Sequence, residues 1–202
     1  LAQTLYAYND AAEGGSYQKV TKTIVGDDAA PSMITTQYTD TAGNIAKTGK
    51  LLNGTEYCDT FTYDYVGNQI SSLTAADAAK NLPFTAKYEY NENGQVTKAY
   101  NALNQFTENT YNALGQLVQS TDYAGTPTTY QYDALGRLLS QTIVIEDGVT
   151  AATKYDYDAS GNIIREWKPT NAAGAAAAWS KTEYSYNSHG KLTDVRQYDG
   201  LS

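Results

Sequence analysis

The sequence predicts an all-β fold of repeated antiparallel β-hairpins in a solenoid-like array, and three observations predict it. The stretch Tyr130-Gln131-Tyr132-Asp133-Ala134-Leu135-Gly136-Arg137-Leu138 reads as a strand, a tight turn and the start of a return strand. The same pattern comes back, with variations, from near the beginning of the chain to its end. The composition agrees: the 202 residues include 19 Tyr and 16 Gly but only 3 Phe. A surplus of Tyr over Phe suits strands whose rings are half-buried while their hydroxyls reach water or a partner.

Each part of the nine-residue stretch has a physical reason. Two tyrosines alternate with polar residues, as the period of a strand requires. Asp133 opens the turn and Gly136 closes it, the signature of a type I turn. A left-handed Gly then forms the bulge that lets such a turn join two twisted strands. Counting outward from the turn puts Tyr132 opposite Leu138, an aromatic–aliphatic pair just below the tip.

The other copies follow in order. Aligned on the turn Gly they are Asp40…Gly43, Asp64…Gly67, Asn91…Gly94, Asn112…Gly115, Asp133…Gly136, Asp158…Gly161 and Asn187…Gly190. An eighth, Asn101-Ala102-Leu103-Asn104, has Asn at the Gly position, the next-best residue for a left-handed backbone. Two residues beyond the Gly position stand Ile45, Val96, Phe106, Leu117, Leu138, Ile163 and Leu192. Gln69 is the exception, with Ile70 one place late, and a bulge or register shift is expected there. Gly94, Gly115 and Gly136 are spaced by 21 residues, enough for two strands, the fixed turn and a second turn at the opposite end. Longer intervals elsewhere place their extra residues near that second turn, over 75–83, 123–127, 146–149 and 169–178. Insertions confined to one end of a repeat point to loops along one edge of the array.

Tyr6-Ala7-Tyr8-Asn9-Asp10 with Gly14-Gly15 reads as a degenerate copy with a longer loop, and 26–31 as a loop before a strand from Met33 to Tyr38. Helix is nearly absent; Thr74–Asn81 has room for a turn or two before Pro83. No linker or charge run divides the chain. It reads as one domain over 1–202, less regular over 1–37 and clearly repeated over 38–192.

With 14 Lys+Arg against 22 Asp+Glu the chain is acidic, which argues against nucleic acid or an anionic membrane as partner. Cys58, the single cysteine, excludes an intramolecular disulfide and reads as a small buried hydrophobe in a strand. No apolar stretch is long enough to cross a membrane as a helix. A start at Leu1, with neither Met nor a basic-then-apolar leader, reads as a fragment of a longer repeat protein.

Tyr-Asp/Asn-x-x-Gly-x-Leu/Ile/Val at intervals of about 21 residues resembles the YD repeat, the Rhs (rearrangement hotspot) repeat family. Bacterial polymorphic toxin shells, the C components of toxin complexes and the teneurins share that repeat. The resemblance covers the chain from Tyr38 to Leu192. It implies hairpins coiled into a continuous sheet that closes as a hollow shell around an effector, or that forms part of an adhesion receptor. It also implies an extracellular, secreted or cell-surface location. Toxin-bearing relatives end their shell in a self-cleaving segment containing Asp-Pro. The prolines here follow Ala30, Leu82, Thr126 and Lys168, so this chain has no such site.

The repeat also settles what the polar residues are for. Asp64 and Gly67, Asn91 and Gly94, Asn112 and Gly115, Asp133 and Gly136, Asp158 and Gly161, and Asn187 and Gly190 are read as structural turn residues. Asx side chains bond backbone N–H groups within such turns, so no metal ladder is needed to explain them. Asp27-Asp28 and Glu146-Asp147 read as solvated loop pairs. His189 lies within a turn, and neither a serine device nor a pairing with Cys58 is supported. No catalytic residue, cofactor or metal is expected. Trp167 and Trp179 flank the longest insertion and are the candidate ligand contacts, since aromatic faces can stack on sugar rings. The functional reading is a non-catalytic structural segment of an exported shell, stalk or filament. Its partners are adjoining repeats of the parent chain, or copies of itself through open sheet edges. The alternative is a surface adhesion module that binds glycan or protein through its variable loops.

Overall fold

The computed structural model describes residues 3–12, 17–25, 33–146, 149–170 and 178–201, which fall into two compact units, Leu1–Phe106 and Thr107–Ser202. In the first unit the strands are β1 (Gln3–Ala12), β2 (Tyr17–Val25), β3 (Met33–Thr39), β4 (Ile45–Leu52), β5 (Thr55–Tyr63), β6 (Gln69–Leu73), β7 (Ala86–Tyr90) and β8 (Val96–Asn101). Each pairs antiparallel with the next. The second unit contains β9 (Phe106–Tyr111), which begins at the border, and then β10 (Leu117–Thr121), β11 (Pro127–Tyr132) and β12 (Leu138–Glu146). It continues with β13 (Val149–Tyr157), β14 (Ile163–Pro169), β15 (Trp179–Tyr186) and β16 (Leu192–Leu201), again each antiparallel to its neighbour. The all-β hairpin fold read from the repeats is the fold observed.

Between β6 and β7 lies one short helix, α1 (Ala75–Ala78), where a turn or two was expected. Thr74 caps it by accepting from the Asp77 N–H, and the Asp59 carboxylate on β5 takes the Ala75 N–H at 2.9 Å. Between β4 and β5, Asn53 (φ 49°) and Gly54 (φ 79°) form a two-residue turn with both central residues left-handed. Asn-Gly is the strongest short-range hairpin signal, and the repeat-centred reading passed over it.

Among the described residues only Thr36, Tyr38, Ala46 and Gly49 are buried, and no side chain is fully enclosed. Contacts run between neighbouring strands and from α1 onto β5. Cys58 lies on β5 as expected but is only half-buried. With so little interior, stability must come from strand pairing and from side chains laid across neighbouring strands. One such group surrounds Glu56, whose carboxylate accepts from the Tyr38 hydroxyl at 2.8 Å and from the Thr36 hydroxyl. Gly49 on β4 leaves room for it; a Cβ there would lie 2.7 Å from Glu56 Oε1.

Candidate functional site

The repeated tips are the most ordered chemistry in the chain, and Asp133–Arg137 shows how one is built. The Gly136 N–H donates to the Asp133 carbonyl at 3.0 Å, closing the turn, and the Asp133 N–H donates to the Arg137 carbonyl at 2.9 Å. Asp133 Oδ1 accepts from the backbone N–H of both Leu135 and Arg137, each at 2.9 Å. Gly136 sits at φ +83°, where a side chain would be strained. The same bonds recur at Asp40, Asp64, Asn91, Asn101, Asn112, Asp158 and Asn187, so all eight tips read from the sequence form as expected. Asp122 to Thr126 adds a ninth of identical pattern, at a place read only as a variable connection.

A second regularity links the first and fifth residues of the turn. Where the first is Asp, its free Oδ2 accepts from Asn44, Asn68 or Asn162, or from Arg137 Nε at 2.7 Å. Where the first is Asn, its Nδ2 donates to the Oε1 of Gln95, Gln105 or Gln116. At these seven tips an acceptor is thus matched with a donor, and a donor with an acceptor; Asn187 with Lys191 and Asp122 with Thr126 form no such side-chain pair among the described residues. Hydrogen bonding from the Arg137 backbone N–H, opposed by partial burial and helped by the guanidinium, holds the Asp133 carboxyl below its ordinary 3.8. Asp158 is lowered too, first by the Asn162 side chain. These carboxylates are spent on the turn, and that leaves them unsuited to acid–base work.

Immediately beyond seven of the tips the return strand carries a bulge, whereas beyond the Asp122 tip the pairing runs on without one. Gln131 pairs with Ser140 while Tyr132 pairs with Leu138, so Leu139 is the extra residue. Gln69 proves to be no exception: Tyr63 pairs with Gln69 as Tyr132 does with Leu138, and Ile70 takes the bulge position. The expected irregularity is therefore common to the repeats, with register unchanged.

The repeat tyrosine does something the sequence did not disclose. Tyr132 donates its hydroxyl to the Leu117 carbonyl at 2.8 Å, on the strand that follows the preceding tip. Tyr63 reaches the Ile45 carbonyl, Tyr90 that of Gln69, Tyr157 that of Leu138 and Tyr186 that of Ile163, at 2.6–3.0 Å. Each acceptor stands two residues beyond the turn Gly of the hairpin before. Burial raises the hydroxyls of Tyr90, Tyr132 and Tyr157 above their ordinary value, so they keep their protons and donate. Arg137 adds a further link, its guanidinium 4.6 Å from the centre of the Tyr157 ring and donating to the Asp158 carbonyl.

Trp167 and Trp179 lie on paired strands, β14 and β15, and not on a loop; residues 171–177 between them are outside the described set. Lys154, Trp167 and Lys181 pair side by side across three strands, and Trp179 pairs with Pro169. With Asp156, Lys154 and the two indoles line a cleft of about 300 Å³. His189 is an exposed turn residue whose ring Nδ1 lies 3.4 Å from the neighbouring Ser188 hydroxyl. Among the described residues no three His, Cys, Asp or Glu side chains converge as metal ligands. The pairs Asp27-Asp28 and Glu146-Asp147, with Gly14-Gly15, fall wholly or partly outside the described residues.

Residues 111–150, which hold three of these turns, match the family described as RHS Repeat. Those residues carry the RHS repeat. Solved structures with similar folds include a Photorhabdus luminescens Tc holotoxin pore with a TccC3 mutation, at 14% identity and TM-score 0.64 over 90% of this chain. The TcdB2-TccC3 crystal structure matches at 14% identity and TM-score 0.62 over 98% of this chain. The same assembly with a TEV suffix matches at 14% and 0.59, also over 98%. This chain spans only 10% to 12% of the length of these chains. No curated protein sequence matches it.

Proposed function

We propose that this chain is a structural RHS-type repeat segment of an exported shell, stalk or filament, and that it carries out no reaction itself. The observation behind this reading is the tyrosine clasp, in which the hydroxyls of Tyr63, Tyr90, Tyr132, Tyr157 and Tyr186 are each spent on the backbone of the hairpin before. The turn carboxylates and amides are likewise consumed by the turns they build. An arrangement in which a recurring hydroxyl ties each of these five hairpins to the one before is suited to extension. Its partners are then adjoining hairpins of the parent chain, or copies of itself meeting at β1 and β16, each of which, among the described residues, pairs on one side only.

Sedimentation velocity over a range of concentrations tests the edge pairing. Self-association that grows with concentration is expected, and a strict monomer throughout overturns it. Turnover of any substrate that disappears in His189→Ala would overturn the non-catalytic part.

A further inference from the structure

We propose that the cleft lined by Lys154, Asp156, Trp167 and Trp179 is a binding site for an acidic saccharide, a chain containing uronic acid. The strands fix its geometry. Lys154 and Trp167 share one rung, Asp156 lies two residues from it along β13 and Trp179 two residues from it, on the other side, along β15, a spacing that leaves the four side chains on one face. The cleft volume of about 300 Å³ lies at the small end of ligand sites.

The charges in the cleft choose the ligand class. Arg137, Arg165, Lys168, Lys181 and Arg196 of this unit each lie within ion-pair distance of a carboxylate. Lys154 does not, among the described residues; its ammonium rests 5.0 Å from the centre of the Trp179 ring. A cation held by an indole alone keeps most of its charge available to an arriving anion. Asp156 complements it. The Trp167 Nε1–H donates to Asp156 Oδ2 at 3.4 Å and Arg165 approaches the same oxygen at 3.6 Å. The other carboxylate oxygen is left to accept from a ligand hydroxyl. Two indole surfaces, an ammonium and a carboxylate oxygen offer, in turn, a seat for the C–H face of a sugar ring, for its acid group and for a hydroxyl. A neutral sugar would leave Lys154 without an anion, and a simple anion would leave the indoles unused.

Trp167 and Trp179 are the two tryptophans of the chain, so their indole N–H resonances report this cleft alone. The probes are trigalacturonate and its methyl ester, the same rings with the charge removed. Trigalacturonate should shift both indole resonances saturably, and bind about two- to five-fold more tightly than the ester, as a solvent-facing charge pair implies. Lys154→Gln should remove that preference while leaving the ester's affinity and the melting temperature unchanged, because Lys154 takes no part in the tyrosine clasp. Equal binding of acid and ester by the wild type, an unaltered preference in Lys154→Gln, or no movement of either indole would each overturn the assignment. None of these outcomes bears on the structural role proposed above, which rests on other residues.

Discussion

Removing one hydroxyl from the tyrosine ladder separates its hydrogen bond from its ring. Tyr132 donates to the Leu117 carbonyl at 2.8 Å, and its half-buried ring faces Leu138 across the hairpin. Tyr132→Phe keeps the ring and deletes the donor, leaving a carbonyl in partly desolvated surroundings without its partner. A neutral hydrogen bond of this kind contributes about 1 kcal/mol net. For a chain of this size that corresponds to a melting temperature lower by about 2–4 °C. Tyr130→Phe is the matched control. It lies two residues earlier on the same strand, and its hydroxyl makes no hydrogen bond among the described residues. Its effect should stay within about 0.5 kcal/mol. Chemical denaturation gives the global change, and amide exchange around Leu117 should show faster local opening in Tyr132→Phe alone. If the two variants are equally stable, the hydroxyl does not clasp the neighbouring hairpin and the account of the ladder fails.

Asp133→Asn sets two donors, the new amide and Arg137, against each other and should lower the melting temperature. Adding Arg137→Gln recreates the pairing seen at Asn91 and Gln95 and should restore part of the loss; no recovery in the double-mutant cycle would refute the matching rule. Gly49→Ala drives a Cβ against the carboxylate held by Tyr38 and Thr36, and should cost about 1–3 kcal/mol by urea unfolding. The carboxyl groups of Asp40, Asp133 and Asp158 are lowered in the folded state, Asp40 chiefly by the Asn44 backbone N–H. Their contribution is therefore complete above the ordinary aspartate value and is lost as pH falls through the lower folded values. Urea midpoints should hold from neutral pH to about pH 5 and decline below about pH 4.

The tips were legible because everything that makes them lies within five consecutive residues. Asp133, Gly136 and the residue two places on are a local pattern, and local geometry alone decides it. Asn104 in place of Gly could be read for the same reason, and its φ of 61° bears that out. What the hydroxyl of Tyr132 does was hidden, because its acceptor is fifteen residues away and is a backbone atom with no side-chain signature. Gln69 looked irregular because the eye follows the apolar residue, whereas the register follows the turn. Asn53-Gly54 is a local turn signal of its own that lies outside the repeated pattern. Trp167 and Trp179 flank the insertion over 169–178, and flanking residues of an insertion can lie in strand ends, as both do here.

The clasp places almost no demand on its acceptor. Ile45, Gln69, Leu117, Leu138 and Ile163 serve equally, because each offers only a peptide carbonyl, which all residues possess. The matched pair at the tip, by contrast, is complete within a single hairpin. A hairpin can therefore be exchanged, duplicated or deleted without redesign of the one before it, provided that it brings its own tyrosine and its own matched turn. Such a chain is assembled from interchangeable parts joined by a universal fitting, and its length can drift while its construction rule stays fixed.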